Sequence, residues 1–154
     1  MLKNIKIFAF DCDGVLTDNH LYVGKNGEEF LKFTKTDGLY MKMLSKKYYI
    51  CIITSEKSKN AFFRAKKIGI DCFYNIRDKE KKIKEILKKK KLNLFQTAFV
   101  GNELNDIAIL KIVGLPIAVA DADTKVKKLS KIILKTKGGF GVVKEIYKLL
   151  NKIK

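Results

Sequence analysis

Phe8-Ala9-Phe10-Asp11-Cys12-Asp13-Gly14-Val15-Leu16-Thr17-Asp18 is the stretch on which the fold turns. An apolar run from Ile5 to Phe10 ends in two carboxylates one residue apart, followed by a glycine. Residues 5–10 read as a buried parallel strand, and ligands in open α/β sheets bind just beyond such carboxyl ends. Two acids placed there are penalised by desolvation and mutual repulsion unless a cation or a proton offsets them. Asp-x-Asp-Gly after a leading strand therefore points to a divalent metal and phosphate chemistry. The plainer alternative is a solvated turn, which Asp and Gly both favour.

The chain's 154 residues, 47% hydrophobic and 32% charged, describe one soluble globular domain spanning 1–154. No apolar run approaches the ~20 residues needed to span a bilayer. Met1-Leu2-Lys3-Asn4 leads straight into the first strand and leaves no room for a signal peptide, so a cytoplasmic location is expected. Cys12, Cys51 and Cys72 lack metal-ligand spacing and read as reduced core residues. Cys12, between the two acids, is expected to point away from them. The formal charge of +17 invites a nucleic-acid partner, but the excess is lysine spread along the chain, with only Arg64 and Arg77 as arginines. Base readout favours arginine, so no specific nucleic-acid binding is expected, and attraction of anionic substrates is the simpler use of the field.

Leu21-Tyr22-Val23, then Gly24-Lys25-Asn26-Gly27, then Glu28 to Phe33 predict a hairpin insertion over about 19–34. Asp37-Gly38 opens a helix, and Tyr49 to Ile53 is a second buried strand ending at Thr54-Ser55. A helix from Lys57 to Ile68 stops at Gly69. A strand over Asp71 to Tyr74, a helix over Asp78 to Lys91 and a strand over Thr97 to Val100 follow. The next helix runs from about Leu104 to Gly114, followed by a strand over Pro116 to Val119 and a helix over Thr124 to Leu129. An edge strand over Ile132 to Leu134 comes next. Val142, Val143, Ile146, Leu149, Leu150 and Ile153 make the apolar stripe of a last helix. Such alternation predicts a three-layer α/β/α, Rossmann-like fold around a parallel sheet with right-handed crossovers.

Each informative polar motif follows an apolar strand: Asp11 and Asp13 the first, Thr54 the second, Asn102 and Asp106 the fourth. Lys79 opens the helix after the third. Parallel strands bring these ends to one edge, giving a carboxylate pair, a hydroxyl, an ammonium and an Asn-Asp pair. Phosphoryl transfer with an aspartate nucleophile needs that kit. A carboxylate meeting a phosphate at about 4 Å is opposed by about 4 kcal/mol at an effective dielectric of ~20, and Mg2+ reverses the sign.

With these motifs in this order, the chain resembles the haloacid-dehalogenase superfamily of aspartate-nucleophile phosphatases over nearly its whole length. The resemblance implies Asp11 as nucleophile, with an aspartyl-phosphate intermediate, and Asp13 as the acid and base. Thr54, Ser55 and Lys79 would hold the phosphate. Asp11, Asp13 (through its backbone carbonyl), Asn102 and Asp106 would form the Mg2+ site. Many relatives carry Asp where this chain has Asn102, so one negative charge is missing.

There is no room for a separate cap domain. FDCDGVLTD (10–18), the Asp37-Gly38 helix start, ITSEKS (53–58), VGNELND (100–106), VGLPIAVADA (113–122) and GGFGVVKE (138–145) are similar to the cap-less branch acting on phosphates of 2-keto-3-deoxy sugar acids. That branch includes the 3-deoxy-D-manno-octulosonate (KDO) 8-phosphate and nonulosonate (KDN, N-acylneuraminate) 9-phosphate phosphatases. It implies a sugar acid phosphate substrate and a homotetramer whose hairpins meet centrally, with neighbours helping to close each site. Glu56, Arg64 and Lys67 match the nonulosonate pattern as substrate-binding residues, whereas octulosonate enzymes more often show Gly-Arg at 55–56. Phe140 and Lys144 stand where octulosonate enzymes often have arginines. Arg64 and Lys67 are i, i+3 on a helix with Glu56 about two turns back, so all three could share a face; an ordinary surface salt-bridge set is the alternative. Gly138-Gly139-Phe140-Gly141 reads as a mobile loop over the site. Two other functions use similar residues: a phospho-receiver domain, whose phosphorylated Asp lies on a later strand, and a catalytically silent assembly module tied to sugar-nucleotide synthesis.

Overall fold

A computed structural model describes residues 2–152. Its centre is a six-stranded, wholly parallel sheet built from β1 (Ile7–Phe10), β4 (Tyr49–Ile53), β5 (Asp71–Phe73), β6 (Thr97–Gly101), β7 (Leu115–Ala118) and β8 (Ile132–Ile133). The spatial order is β5-β4-β1-β6-β7-β8. The chain winds outward from β1 through β4 to β5, returns to the other side of β1 at β6, and winds outward again. That reversal makes the carboxyl ends of β1, β4 and β6 the switch point where such sheets bind ligands.

Two groups of helices cover the sheet. In one, α1 (Lys35–Leu44) packs on both α2 (Asn60–Ile68) and α6 (Val142–Lys152); in the other, α4 (Ile107–Ile112) lies between α3 (Lys79–Lys90) and α5 (Thr124–Leu129). The expected three-layer α/β/α fold is thus observed. β1, β6 and β7 are buried along their whole length, which explains why they read as continuous apolar runs rather than alternating ones. Phe8, Phe10, Phe99, Ile52 and Ile83 are among the largest fully buried side chains, each worth roughly 1.5–3 kcal/mol of transfer free energy. Ile153, expected in the last apolar stripe, lies outside the described residues.

Several boundaries move for local reasons. β1 starts at Ile7 because Leu2–Asn4 forms a 3-10 turn and the Ile5 amide donates to the Leu2 carbonyl. α1 begins at Lys35, ahead of Asp37, because Thr34 caps it by accepting from the Thr36 amide at 3.2 Å. α2 begins at Asn60 rather than Lys57, since the preceding loop is tied to strand ends: the Glu56 amide donates to Thr54 Oγ1, and the Asn75 amide to the Glu56 carbonyl.

The hairpin forms where Asn26-Gly27 places it. Its strands, β2 (Tyr22–Val23) and β3 (Glu29–Phe30), pair only with each other. Leu21, Tyr22, Val23 and Phe30 are all at least half exposed. No helix of the described residues is long and apolar enough to cross a membrane. Cys12 and Cys51 are buried in the core, Cys72 is partly buried, and all three are free thiols.

Candidate active site

The turn after β1 is built by its own backbone. The amides of Val15, Leu16 and Thr17 all donate to the Cys12 carbonyl, and Thr17 Oγ1 accepts from the amides of Gly14 and Asn19. Gly14 sits at φ +81°, and a Cβ there would lie 2.1 Å from Asn102 Nδ2. Glycine therefore serves both the left-handed turn and the close seating of Asn102 against it. Asp11 itself remains on the ladder, its amide donating to the Val100 carbonyl at 2.9 Å.

Behind the turn lies a buried charge cluster. Lys79 Nζ donates to Asp11 Oδ1 and to Asp106 Oδ1, each at 2.7 Å, and the lysine is 3% exposed. It opens α3, whose start is fixed by Asp78 accepting from the Lys81 amide. Asp106 Oδ2 accepts from the amides of Asn102 and Glu103. This fold-back bends residues 104–106 into a 3-10 turn ahead of α4, where a single helix was expected from Leu104. Both oxygens of Asp106, expected among the metal ligands, accept hydrogen bonds within the protein, Oδ1 from Lys79 and Oδ2 from the amides at 102 and 103.

Burial, followed by the charge of Asp106, pushes the Asp11 carboxyl up to about 7 against the opposing pull of Lys79. Burial alone would lower Lys79, but the two carboxylates outweigh it and hold its ammonium above the usual lysine value. Asp13 is also raised, first by burial and then by Glu56, so it keeps a proton more readily than an ordinary aspartate.

In front of the cluster opens a cavity of about 160 Å3, whose walls include Asp11, Asp13, Thr54, Ser55 and Glu56. A second, of about 180 Å3, extends past Asp13 and Glu56 to Glu29 and Ser58 under the hairpin. Larger cavities lie away from these carboxylates, between α1 and α6 and between β5 and α3.

Among the described residues no three His, Cys, Asp or Glu side chains cluster to hold a metal ion. The set the resemblance implies would be mixed: the Asp11 carboxylate, the Asp13 backbone carbonyl and the Asn102 amide. Asn102 is 4% exposed and its Oδ1, buried, meets no hydrogen-bond donor. A buried oxygen with no donor, on a residue whose amide is held by Asp106 and whose side chain lies against the Gly14 turn, fits a hard, oxygen-seeking cation.

Two expectations are corrected: that Glu56, Arg64 and Lys67 share a helix face, and that Gly138–Gly141 is a mobile loop over the site. Glu56 lines the cavity, and Arg64 and Lys67 of the same chain are not on its wall. Glu56 sits in the loop before α2, not on the helix, so helical spacing does not align the three. Arg64 covers Gly38 and its Nη2 donates to the Thr34 carbonyl at 3.4 Å, while Lys67 is exposed. The Gly138–Gly141 segment is a buttress and not a loop over the cavity. The Gly139 amide donates to the Val15 carbonyl, the Gly138 amide to Asp121 Oδ1, and a Cβ on Gly138 would lie 2.0 Å from the Gly14 carbonyl oxygen. Phe140 is exposed beyond it.

Two lining residues are not anticipated from the sequence. Asn19, at φ 63°, faces the cavity; Asn105 does too, and its Nδ2 donates to Ser55 Oγ at 3.4 Å. Asn19 has a signal, since Asp-Asn after a buried threonine is turn chemistry; Asn105 has none beyond adjacency to Asn102. Glu103, the acid next to Asn102, also faces the cavity.

The haloacid dehalogenase-like hydrolase family matches residues 44–146. The chain is 33% identical over 150 residues to the 3-deoxy-D-manno-octulosonate 8-phosphate phosphatase of Escherichia coli K12, covering 96% of this chain and 80% of that protein. The crystal structure of the phosphatase of the same name from Moraxella catarrhalis, in complex with magnesium ion, phosphate ion and KDO, superposes with a TM-score of 0.94. It is 30% identical and is matched over 99% of this chain and 89% of that one. The cobalt-bound deoxy-D-mannose-octulosonate 8-phosphate phosphatase of Haemophilus influenzae gives 0.92 at 32% identity, over 98% and 90% of the two chains. The chain belongs to the haloacid dehalogenase-like hydrolases.

Proposed function

We propose that this protein is a Mg2+-dependent phosphatase that hydrolyses the phosphate monoester of a 2-keto-3-deoxy sugar acid, working as one domain without a cap. The observation that carries this reading is Asp11, held by Lys79 at the end of β1 and open to the cavity it shares with Asp13. The names of the relatives support octulosonate 8-phosphate as substrate. Glu56 at the cavity wall, where the octulosonate pattern has no acid, supports a nonulosonate 9-phosphate.

Asp11 attacks phosphorus through a carboxylate oxygen while the P–O bond to the sugar breaks. The departing oxygen takes its proton from Asp13, whose raised carboxyl suits an acid. The resulting aspartyl-phosphate is cleaved by a water that gives its proton to Asp13, releasing phosphate and restoring both acids. Thr54, Ser55 and Lys79 hold the phosphoryl oxygens, and Glu56 meets the sugar hydroxyls. Mg2+, when bound, offsets the repulsion between the carboxylate and the phosphate; Asp11, the Asp13 carbonyl and Asn102 would hold it.

The exposed apolar hairpin supports assembly, here proposed as a homotetramer, in which Arg64 and Lys67 reach the site of a neighbouring copy. Side-by-side kcat/KM values for KDO 8-phosphate, KDN 9-phosphate and N-acetylneuraminate 9-phosphate test the proposal. Turnover of at least one, dependent on Mg2+, is expected; none on all three overturns it.

A further inference from the structure

With both acids ionised, Asp11 and Asp106 bring one negative charge each and Lys79 one positive, so the trio sums to minus one. Asn102 adds an oxygen to this wall but no charge, and that Oδ1 has no donor within the protein. Its backbone is fixed by Asp106, and its side chain by the missing Cβ of Gly14. An aspartate would occupy nearly the same volume and bring the wall to minus two.

We propose, building on the phosphatase reading, that Asn102 shifts the site's affinity from the cation toward the phosphoryl anion, so that the cation is held firmly only when the anion is present. A divalent ion alone meets a trio that sums, with the lysine counted, to only minus one, and it brings that trio to plus one. A phosphate dianion is drawn to that added positive charge despite Glu56 and Glu103 on the cavity wall, and its own charge retains the cation. With aspartate at 102 the cation binds unaided and neutralises the wall, and the anion gains less. One side chain therefore moves two affinities in opposite senses, which a purely structural residue does not do.

Calorimetric titration of the full chain tests this, using MgCl2 alone, inorganic phosphate alone, and each in the presence of the other. For Asn102→Asp the expectation is about tenfold tighter Mg2+ binding and about tenfold weaker phosphate binding, the scale of one unit charge at screened short range. In the natural protein phosphate should markedly tighten Mg2+. Asn102→Ala, which removes the oxygen without adding charge, should weaken Mg2+ and leave the affinity for phosphate alone unchanged; it decides the matter if Asn102→Asp fails to fold. Affinities that move together in Asn102→Asp, or natural Mg2+ affinity in Asn102→Ala, overturn the inference. If that happens while the natural protein is a Mg2+-dependent phosphatase, only the role of Asn102 is lost. If the natural protein neither binds Mg2+ nor releases phosphate from any sugar acid phosphate, the phosphatase reading falls with it.

Discussion

Lys79 and Asp11 are 68 positions apart in the chain, yet their side chains meet at 2.7 Å in a site almost closed to water. The same ammonium holds Asp106 at the same distance, so one lysine compensates two buried carboxylates. Removing it leaves two like charges desolvated together. Lys79→Met should lower stability by about 3–5 kcal/mol at neutral pH, measured by urea unfolding, and abolish phosphate release. Lys79→Arg should not restore activity, because the planar guanidinium cannot replace a point charge in a closed wall. A Lys79→Met protein as stable as the natural one at pH 7 would mean that the cluster is not charged as drawn.

Asp11 and Asp13 have separable tasks, and a leaving group that needs no acid separates them. Asp11→Asn should abolish release of p-nitrophenol from p-nitrophenyl phosphate while keeping the fold by circular dichroism. Asp13→Asn still has the nucleophile but lacks the base for the second step. It should release a burst of about one p-nitrophenol per site and then slow by about 10²–10⁴-fold. A burst from Asp11→Asn, or full steady turnover by Asp13→Asn, would contradict the assignment.

The parts of this site legible in the sequence are those where a polar residue interrupts an apolar run. Asp11, Thr54 and Asn102 each follow a strand whose continuous burial wrote itself as consecutive apolar residues, and a parallel sheet brings such ends together. Lys79 stood among many lysines and was found only by its place at a helix start. What could not be read depended on long-range packing. Arg64 turns toward Thr34 and Gly38 because α2 begins late, and the loop before it is held by a hydrogen bond from Glu56 to nearby Thr54 and a long-range one from Asn75 to Glu56. The glycines at 138 and 139 suggested mobility, but their small size serves a close approach to the turn at Gly14 and Thr17, which no local pattern announces.

Asp37 illustrates a buried acid outside the cavity. Its Oδ1 accepts from the Val143 amide at 2.9 Å and from that of Lys144, capping α6 from a distance, while Oδ2 is buried without a partner. Burial raises its carboxyl above the ordinary value of 3.8 despite those amides. A raised folded value means that the carboxyl's contribution to stability is complete below 3.8 and is lost as the pH climbs through the higher value. Asp37→Asn should remove that dependence. Measured by urea unfolding at pH 4 and pH 8, the variant's stability relative to the natural protein should rise with pH. A difference that is constant across that range would show that Asp37 titrates normally.

Lys67 tests the assembly and the substrate together. It is exposed, lies outside its own chain's cavity and follows Arg64 by one helical turn, so in the proposed assembly it would meet a substrate across a subunit boundary. A charge-assisted hydrogen bond to the sugar acid carboxylate is worth about 1.5–3 kcal/mol. Lys67→Ala should therefore raise KM for the sugar acid phosphate by about tenfold or more and leave KM for p-nitrophenyl phosphate, which has no such carboxylate, unchanged. Tyr22→Asp, on the exposed hairpin, should yield a smaller species by light scattering, and in that background Lys67→Ala should have no further effect. Equal losses on both substrates would remove Lys67 from the substrate-binding set. A selective loss that persists in the dissociated protein would place Lys67 in its own chain's site.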